Sequence, residues 1–533
     1  MLPILATVYS SAVLSFDLPY PSRRAPVCAD NLVATSQPLA TQAGIDALRR
    51  GGNAVDAALC AAITLTVVEP CNNGVGSDAF AMIWDGARLH GLNASGRAPA
   101  RMTLDRYTGR TVMPQFGWET VTVPGAVSAW GVLHERFGRL PFSSLFEAAI
   151  GYAENGFLVG PETAHIWAWA ERAVGAQPGF ADHFLPAPAP GQRVRRPELA
   201  RTLQLIADQG PDVFYRGELA ERMAAFAEQH DAPLERSDLA DHQPLWVEPI
   251  DVPFRASRIH ELPPNGQGLA ALIALRILDR FDPGSTDDPA TLHRALEAMK
   301  IAVRAAFDHV ADPEHLRHAP AELLDDDNIG RLAKGIGNQA GVVPPALLPT
   351  SRDTVYLCAA DESGLQISFI QSNYLAFGSG VVVPGTGIAL QNRGAGFSLD
   401  PDHPNCVGPR KRPFHTIIPG FITANDAPRA CLGVMGGHMQ HQGHVQMATR
   451  LLDFGENPQA AIDAPRWQIE PDFQISLERG FPTALVADLE ARGHRLTERR
   501  DYRHFGGAQM IYSTGDGLVG ASDPRKEGQV SGF

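Results

Sequence analysis

The bond between Asp353 and Thr354 carries the chemistry this sequence suggests most directly. The stretch before it, from Gly335 through Pro344-Pro345 to Pro349-Thr-Ser-Arg-Asp353, is rich in breakers and reads as an exposed loop. After it, Thr354-Val-Tyr-Leu-Cys-Ala-Ala is an apolar β-type run. It stops at Asp361-Glu-Ser-Gly364 and resumes as Leu365-Gln-Ile-Ser-Phe-Ile, which reads as strand, turn and strand. A hydroxyl residue opening a buried strand behind a cleavable loop can fill two roles. Once the chain is cut before Thr354, the hydroxyl attacks a carbonyl and the freed α-amine takes its proton. Thr is also simply a good β-former, so this local pattern alone leaves a plain strand open.

Two further groups have suggestive spacing. Gly436-Gly437 follows the apolar run Ala430-Cys-Leu-Gly-Val-Met and precedes a helical segment. Glycines there leave backbone N–H groups open to a ligand at a helix N-terminus, as a developing oxyanion requires. A plain strand–helix turn reads the same way. His438, His441 and His444 follow at three-residue spacing and could share one helix side as metal ligands. No carboxylate or cysteine accompanies them locally, so no metal is expected there. There is no H-E-x-x-H, no G-x-S-x-G elbow, no phosphate-binding Gly-Lys loop and no dinucleotide fingerprint, and no cofactor is expected.

These groups need elements to position them. Ala29 to Ala98 reads as strand, helix and strand, with a helix over Leu39–Arg50 ending at Gly51-Gly52. Ala54 to Val68 reads as a helix buried on most sides. Residues 140 to 310 look mainly helical, with amphipathic segments at 144–152, 199–208, 219–229, 270–281 and 290–310. Beyond Thr354, short strands and Gly-rich turns dominate, with helices near 443–454 and 482–492. Hydrophobic content of 44% supports a substantial core. A net charge of −14 argues against nucleic-acid or anionic-membrane partners. Six cysteines without C-x-x-C spacing are expected to be free and buried. Leu2–Leu14 is apolar, but no Lys or Arg precedes it. Residues 1–28 are therefore expected to be a poorly ordered or mis-extended start. A cytoplasmic location is expected, with a periplasmic or secreted one as the alternative.

Several ordered motifs resemble the γ-glutamyltransferase family. They are Gly51-Gly-Asn-Ala-Val-Asp-Ala57, Glu69-Pro70, Val123-Pro-Gly125, Phe214-Tyr-Arg-Gly217 and Pro263-Pro-Asn-Gly-Gln-Gly268 in the first half. Phe377-Gly-Ser-Gly, Lys411-Arg-Pro413, Gly433-Val-Met-Gly-Gly437, Asp463-Ala-Pro-Arg466 and Gly520-Ala-Ser-Asp-Pro-Arg525 follow in the second. The resemblance runs from about Ala29 to the end. It implies an αββα sandwich of the N-terminal-nucleophile hydrolase type, with two antiparallel sheets between helix layers. Residues 29–353 would form a large subunit and 354–533 a small one, both building one domain and associating after cleavage at Asp353-Thr354. It also implies that Gly436 and Gly437 form the oxyanion hole, and it brings Asn373 into the substrate-binding set.

The substrate pocket departs from the true transpeptidases. Ser95 takes the place of the Arg that holds the glutamyl α-carboxylate, and Arg97 appears two residues on. Gly396 takes the place of the Asp that holds the α-amine, while Arg393 appears in the same segment. His415-Thr416 replaces paired serines, and Val355 replaces a second hydroxyl residue. A pocket that loses a carboxylate and gains an arginine should favour anions, because a guanidinium offers a bidentate fork. Each arginine alone reads equally well as a structural ion pair. The departures look like the hydrolase branch that includes oxamate amidohydrolase and the cephalosporin-acylase-like enzymes. The expected activity is hydrolysis of an amide in a small carboxylate-bearing molecule such as oxamate. The alternatives are a γ-glutamyl hydrolase or transpeptidase, and a non-catalytic member that binds an anionic metabolite.

Overall fold

The computed structural model describes residues 23–286, 288–341 and 353–533. The stretches 1–22 and 342–352 lie outside the described residues; of the start expected to be poorly ordered, residues 1–28, the last two instead belong to the paired strand Val27–Ala29.

Thr354 lies near the middle of a seven-stranded sheet. In order, its strands are Gln529–Gly532, Leu32–Thr35, Asp353–Ala360, Gln366–Tyr374, Asp78–Trp84, Leu89–Asn93 and Leu245–Val247. A second seven-stranded sheet runs Val27–Ala29, Leu518–Ser522, Gly507–Ser513, Ala427–Met435, Gly420–Ala424, Ser257–Glu261 and Ile250–Phe254. All neighbours in both are antiparallel.

Alternation along the strands builds the layers, since successive side chains point to opposite faces. In Asp353–Ala360, Tyr356, Cys358 and Ala360 enter the cluster between the sheets, with Phe421, Cys431 and Met435 from the other side. Val355, Leu357 and Ala359 turn the opposite way, onto helix Ala54–Val68. That helix is buried at every position, as its Ala-rich, mostly apolar composition requires, and Asn53 and Asp56 close a capping box at its start. On the far face of the second sheet, Ala430, Leu432 and Val434 pack on helices Gly268–Leu278, Pro289–His309 and Gln440–Leu452. Each fully buried Leu or Val side chain contributes about 1.5–3 kcal/mol of transfer free energy. The sheets approach closely at Gly433, where a Cβ would come 2.3 Å from the Tyr356 ring. The result is the expected helix–sheet–sheet–helix sandwich.

The stretch expected to be mainly helical also holds three strands between Leu245 and Glu261, which edge both sheets. Their signal was period-two alternation, with Val252, Phe254, Ser257, Ile259 and Glu261 inward, reversed at Arg255 with φ 54°. The longer helical periodicities around them outweighed it. Two of the sequence landmarks turn out to meet each other. Buried Arg466 pairs with buried Asp523 at 2.5 Å, and Arg525 joins Asp523 and Glu478. None of the six cysteines is in a disulfide, but Cys28 is exposed and Cys406 half-buried, so burial holds for only four. Among the described residues, no helix is long and apolar enough to cross a membrane.

Candidate active site

Thr354 is fully buried at an irregular point of its strand. Asp353 pairs with Tyr374 and Val355 with Gln371, so the partner strand carries one extra residue there. Such a bulge re-aims a side chain out of the regular ladder. Thr354 Oγ1 donates to Ser372 Oγ at 3.1 Å, and Gln440 Nε2 reaches the same Oγ1 at 3.4 Å. Ser372 Oγ is fixed in turn by the Tyr374 N–H at 2.8 Å. Gln440 is anchored through Oε1 by the Ile418 N–H at 3.0 Å.

Gln440 lies three residues past Gly437, so the glycine turn and Thr354 share one end of the sandwich. Gly436 has φ 123° and Gly437 φ 59°, which L side chains rarely adopt. The Met439 N–H donates to Gly436 O at 3.0 Å, fixing the peptide plane that carries the Gly437 N–H on its opposite edge.

Next to this turn lies a buried charge pair. The Arg393 guanidinium is 1% exposed and donates through Nη1 to Thr416 Oγ1 at 2.7 Å. It stacks over the Tyr374 ring, 4.5 Å from the centroid. Its Nε and Nη2 have no partner among the described residues. Burial pushes its pKa down to about 10, and Asp78 opposes that shift. Asp78 is also fully buried. Its carboxylate accepts from Gly96 N–H at 3.2 Å, Gly125 N–H at 3.0 Å and His415 Nε2 at 3.1 Å. Burial raises its pKa to about 7 against the pull of Arg393. His415 Nδ1 accepts from the Ile417 N–H at 3.4 Å, which leaves the ring proton on Nε2, facing Asp78. Burial and then Arg393 hold His415 well below its ordinary pKa, so it is neutral.

Most of the residues expected from sequence therefore converge: Thr354, Gly436, Gly437, Arg393, His415 and Thr416. Asn373 follows Ser372 directly; its Oδ1 accepts from Ser77 Oγ at 2.9 Å and its Nδ2 is unpartnered among the described residues. Arg97 is a correction. Its guanidinium is committed to Asp312 at 3.3 Å, Glu314 at 3.0 Å and the Arg410 carbonyl at 2.8 Å, so it is a half-exposed structural ion pair. Ser95 is buried on Asn93 Oδ1 at 2.7 Å. Gly396 has a steric reason: a Cβ there would come 2.7 Å from the Phe414 carbonyl oxygen.

Asp78, Ser372, Gln440 and Gln267 were not singled out from sequence. Ser372 had a signal, since folding the hairpin about Asp361–Gly364 brings 371–372 opposite Thr354. Asp78 had a weaker one, as a lone carboxylate opening the apolar run Ala79–Trp84. The histidine trio does not gather as ligands. His444 Nδ1 pairs with distant Glu261 at 2.6 Å, and burial holds His441 well below its ordinary pKa. Among the described residues, His293, Glu297 and His494 are the group close enough to surround a cation. Lys300 Nζ already lies 2.5 Å from Glu297 Oε1, so an ammonium takes that role.

Two stacked antiparallel sheets between helix layers form an αββα sandwich, with a threonine, a glycine turn and a buried guanidinium at one end. The chain belongs to the γ-glutamyltranspeptidase family: the sequence model of Gamma-glutamyltranspeptidase matches residues 40–533. It is an enzyme of that family's amidohydrolase and acyltransferase type. It is 37% identical to the oxamate amidohydrolase proenzyme of Klebsiella pneumoniae over 93% of this chain and 97% of the relative. It is 34% identical to a glutathione hydrolase-like proenzyme of Bacillus subtilis, over 94% and 98%. Its fold superposes on the cephalosporin acylase of Bacillus halodurans with TM-score 0.94 and 46% identity, covering 98% and 99%.

Proposed function

We propose that the chain is a self-processing hydrolase that uses Thr354 to cleave an amide in a small carboxylate-bearing substrate without an α-amine, with oxamate as the specific candidate. In processing, the Thr354 hydroxyl attacks the Asp353 carbonyl carbon and the peptide shifts from nitrogen to oxygen. That shift breaks the C–N bond and frees the α-amine, and water then hydrolyses the ester, releasing the Asp353 carboxyl and restoring the Thr354 hydroxyl. In turnover, Thr354 Oγ attacks the substrate carbonyl and its proton passes to that amine, whose ordinary pKa is about 7.7–8.0. The oxyanion forms against the Gly436 and Gly437 N–H groups. The C–N bond breaks as the amine returns the proton to the leaving nitrogen, leaving an acyl ester on Thr354. Water, activated by the same amine, releases the acid and restores the hydroxyl.

The observation that carries this reading is Arg393, a buried cation with two donors unpartnered among the described residues. Leaving buried charged donors unpaired is costly, and a substrate carboxylate satisfies them. The name of the Klebsiella relative supports an oxamate-like acyl group. One observation favours a γ-glutamyl substrate instead: Asp78 is a carboxylate within electrostatic reach of Arg393, where a zwitterionic head group would place its ammonium. Its three N–H donors and raised pKa weigh against that role. The test is steady-state hydrolysis of oxamate, glutaryl p-nitroanilide, γ-glutamyl p-nitroanilide and neutral valeryl p-nitroanilide by processed enzyme. The amine-free anionic amides should lead. A lead for the γ-glutamyl compound selects the second reading.

A further inference from the structure

The Pro263–Gly268 motif contributes one side chain to this region whose contacts the mechanism above does not use. Gln267 is fully buried. Its Nε2 donates both to Thr416 O at 2.5 Å and to Gly437 O at 2.9 Å. Both partners are carbonyls, so the amide orientation is fixed: the nitrogen faces them and Oε1 points away. The backbone of Gln267 is held by its own N–H on His415 O at 3.0 Å.

We propose that Gln267 is a positioning residue that sets the oxyanion turn and ties it to the carboxylate-binding segment. The reason lies in the peptide planes. Gly436 and Gly437 have no side chains, and their positive φ values leave several backbone arrangements within reach. The Met439 N–H fixes the 436–437 plane from one side. On the other side, Gln267 Nε2 and the Gln440 backbone N–H share Gly437 O, the acceptor end of the 437–438 plane. Without Gln267, that plane keeps only the Gln440 backbone N–H on Gly437 O, and the carbonyl dipole gains freedom to turn toward the space where the oxyanion forms. The second acceptor, Thr416 O, belongs to the residue whose Oγ1 holds Arg393. One neutral amide with two N–H bonds thus joins the group that binds the acid to the turn that stabilises the reacting oxygen.

A single-donor or donor-free side chain cannot do both. Met at 267 keeps the volume and removes both donors. Glu keeps the shape, but its ionised form sets lone pairs against two carbonyl oxygens, and its protonated form satisfies only one.

The inference rests on the oxyanion role proposed for Gly436-Gly437. Wild-type turnover of glutaryl p-nitroanilide and oxamate tests that reading by itself: an inactive processed wild type sinks the function, not the role of Gln267. With an active wild type, Gln267→Met should process into two chains and lower kcat about ten- to hundredfold. That is below the roughly 10²–10³-fold loss typical of deleting an oxyanion donor outright. KM should stay within about threefold, because the carboxylate fork remains. Gln267→Glu should be slow at alkaline pH, and its kcat relative to wild type should rise as the pH falls and the carboxyl takes up a proton. Unchanged kcat in Gln267→Met overturns the proposal, as does a rise in KM alone. If the Met variant does not fold, Gln267→Glu decides: a ratio to wild type that stays at one across the active pH range overturns it.

Discussion

Asp78 and Arg393 are each other's foremost charged neighbour, and consecutive residues hold them: His415 donates to Asp78, and Thr416 accepts from Arg393. The pair makes the pocket sensitive to pH. Asp78 is mostly protonated below about 7 and ionised above it, because burial raises its pKa from 3.8. Folding thus favours its protonated form, so this site's contribution to stability is fullest in acid and is lost as the pH rises through about 7. An anionic substrate on Arg393 meets a second negative charge once Asp78 ionises. KM for glutaryl p-nitroanilide should therefore rise several-fold across that step. Asp78→Asn should flatten the rise, which a pH series of KM measures. A KM independent of pH in wild type rules this coupling out.

Processing gives the most direct test. Purified protein should be two chains divided between Asp353 and Thr354, by intact mass and N-terminal sequencing. Thr354→Ala should remain one chain. A Thr354→Ala protein that still splits at this bond excludes self-processing, and an active unsplit wild type excludes the free α-amine as base.

Arg393 and Arg97 should behave oppositely. A charge-assisted hydrogen bond is worth roughly 1.5–3 kcal/mol, so Arg393→Ala should lower kcat/KM on anionic amides by about one to two decades. Its activity on the neutral anilide should change little. Arg97→Ala should stay within about threefold of wild type on every substrate, since its partners are Asp312, Glu314 and a backbone carbonyl. Equal losses from the two variants contradict this assignment.

The buried pair Arg466–Asp523 should matter for stability. Removing one partner strands a charge without solvent, at a cost of about 3–5 kcal/mol. Asp523→Ala should lower Tm sharply. The neighbouring cations hold the Asp523 pKa below its ordinary value despite burial. The pair's contribution is therefore present at neutral pH and is lost as acid protonates Asp523. A thermal melt of the variant that matches wild type shows the pair to be dispensable.

Much of the architecture was legible because its signals are local. Helix Ala54–Val68 has the predicted bounds, and the hairpin about Asp361–Gly364 is where its breakers put it. Thr354, Gly436-Gly437 and Arg393, which the structure places in one region, could be singled out because each sits in a motif within one segment. What was missed is non-local. Asp78, Gln267 and Gln440 gain their roles from partners 337, 170 and 86 residues away. Arg97 was misread for the converse reason: nothing near it in sequence announces Asp312 and Glu314. The strands at 245–261 were lost among longer helical periodicities.

The two sheets have a consequence for how the proposed subunits live together. Strands from before Thr354 alternate with strands from after it: Leu32–Thr35 lies between Gln529–Gly532 and Asp353–Ala360, and Ser257–Glu261 pairs with Gly420–Ala424. Separating the pieces would mean opening hydrogen-bonded ladders in both sheets at once, which is global unfolding. A cut enzyme of this build should not exchange subunits between molecules in its native state. Isotope-labelled and unlabelled processed protein, mixed and examined by native mass spectrometry, should stay parental until denaturant is added. Cleavage in such a molecule is a late, one-way event: the fold is laid down as one chain, and two chains inherit it.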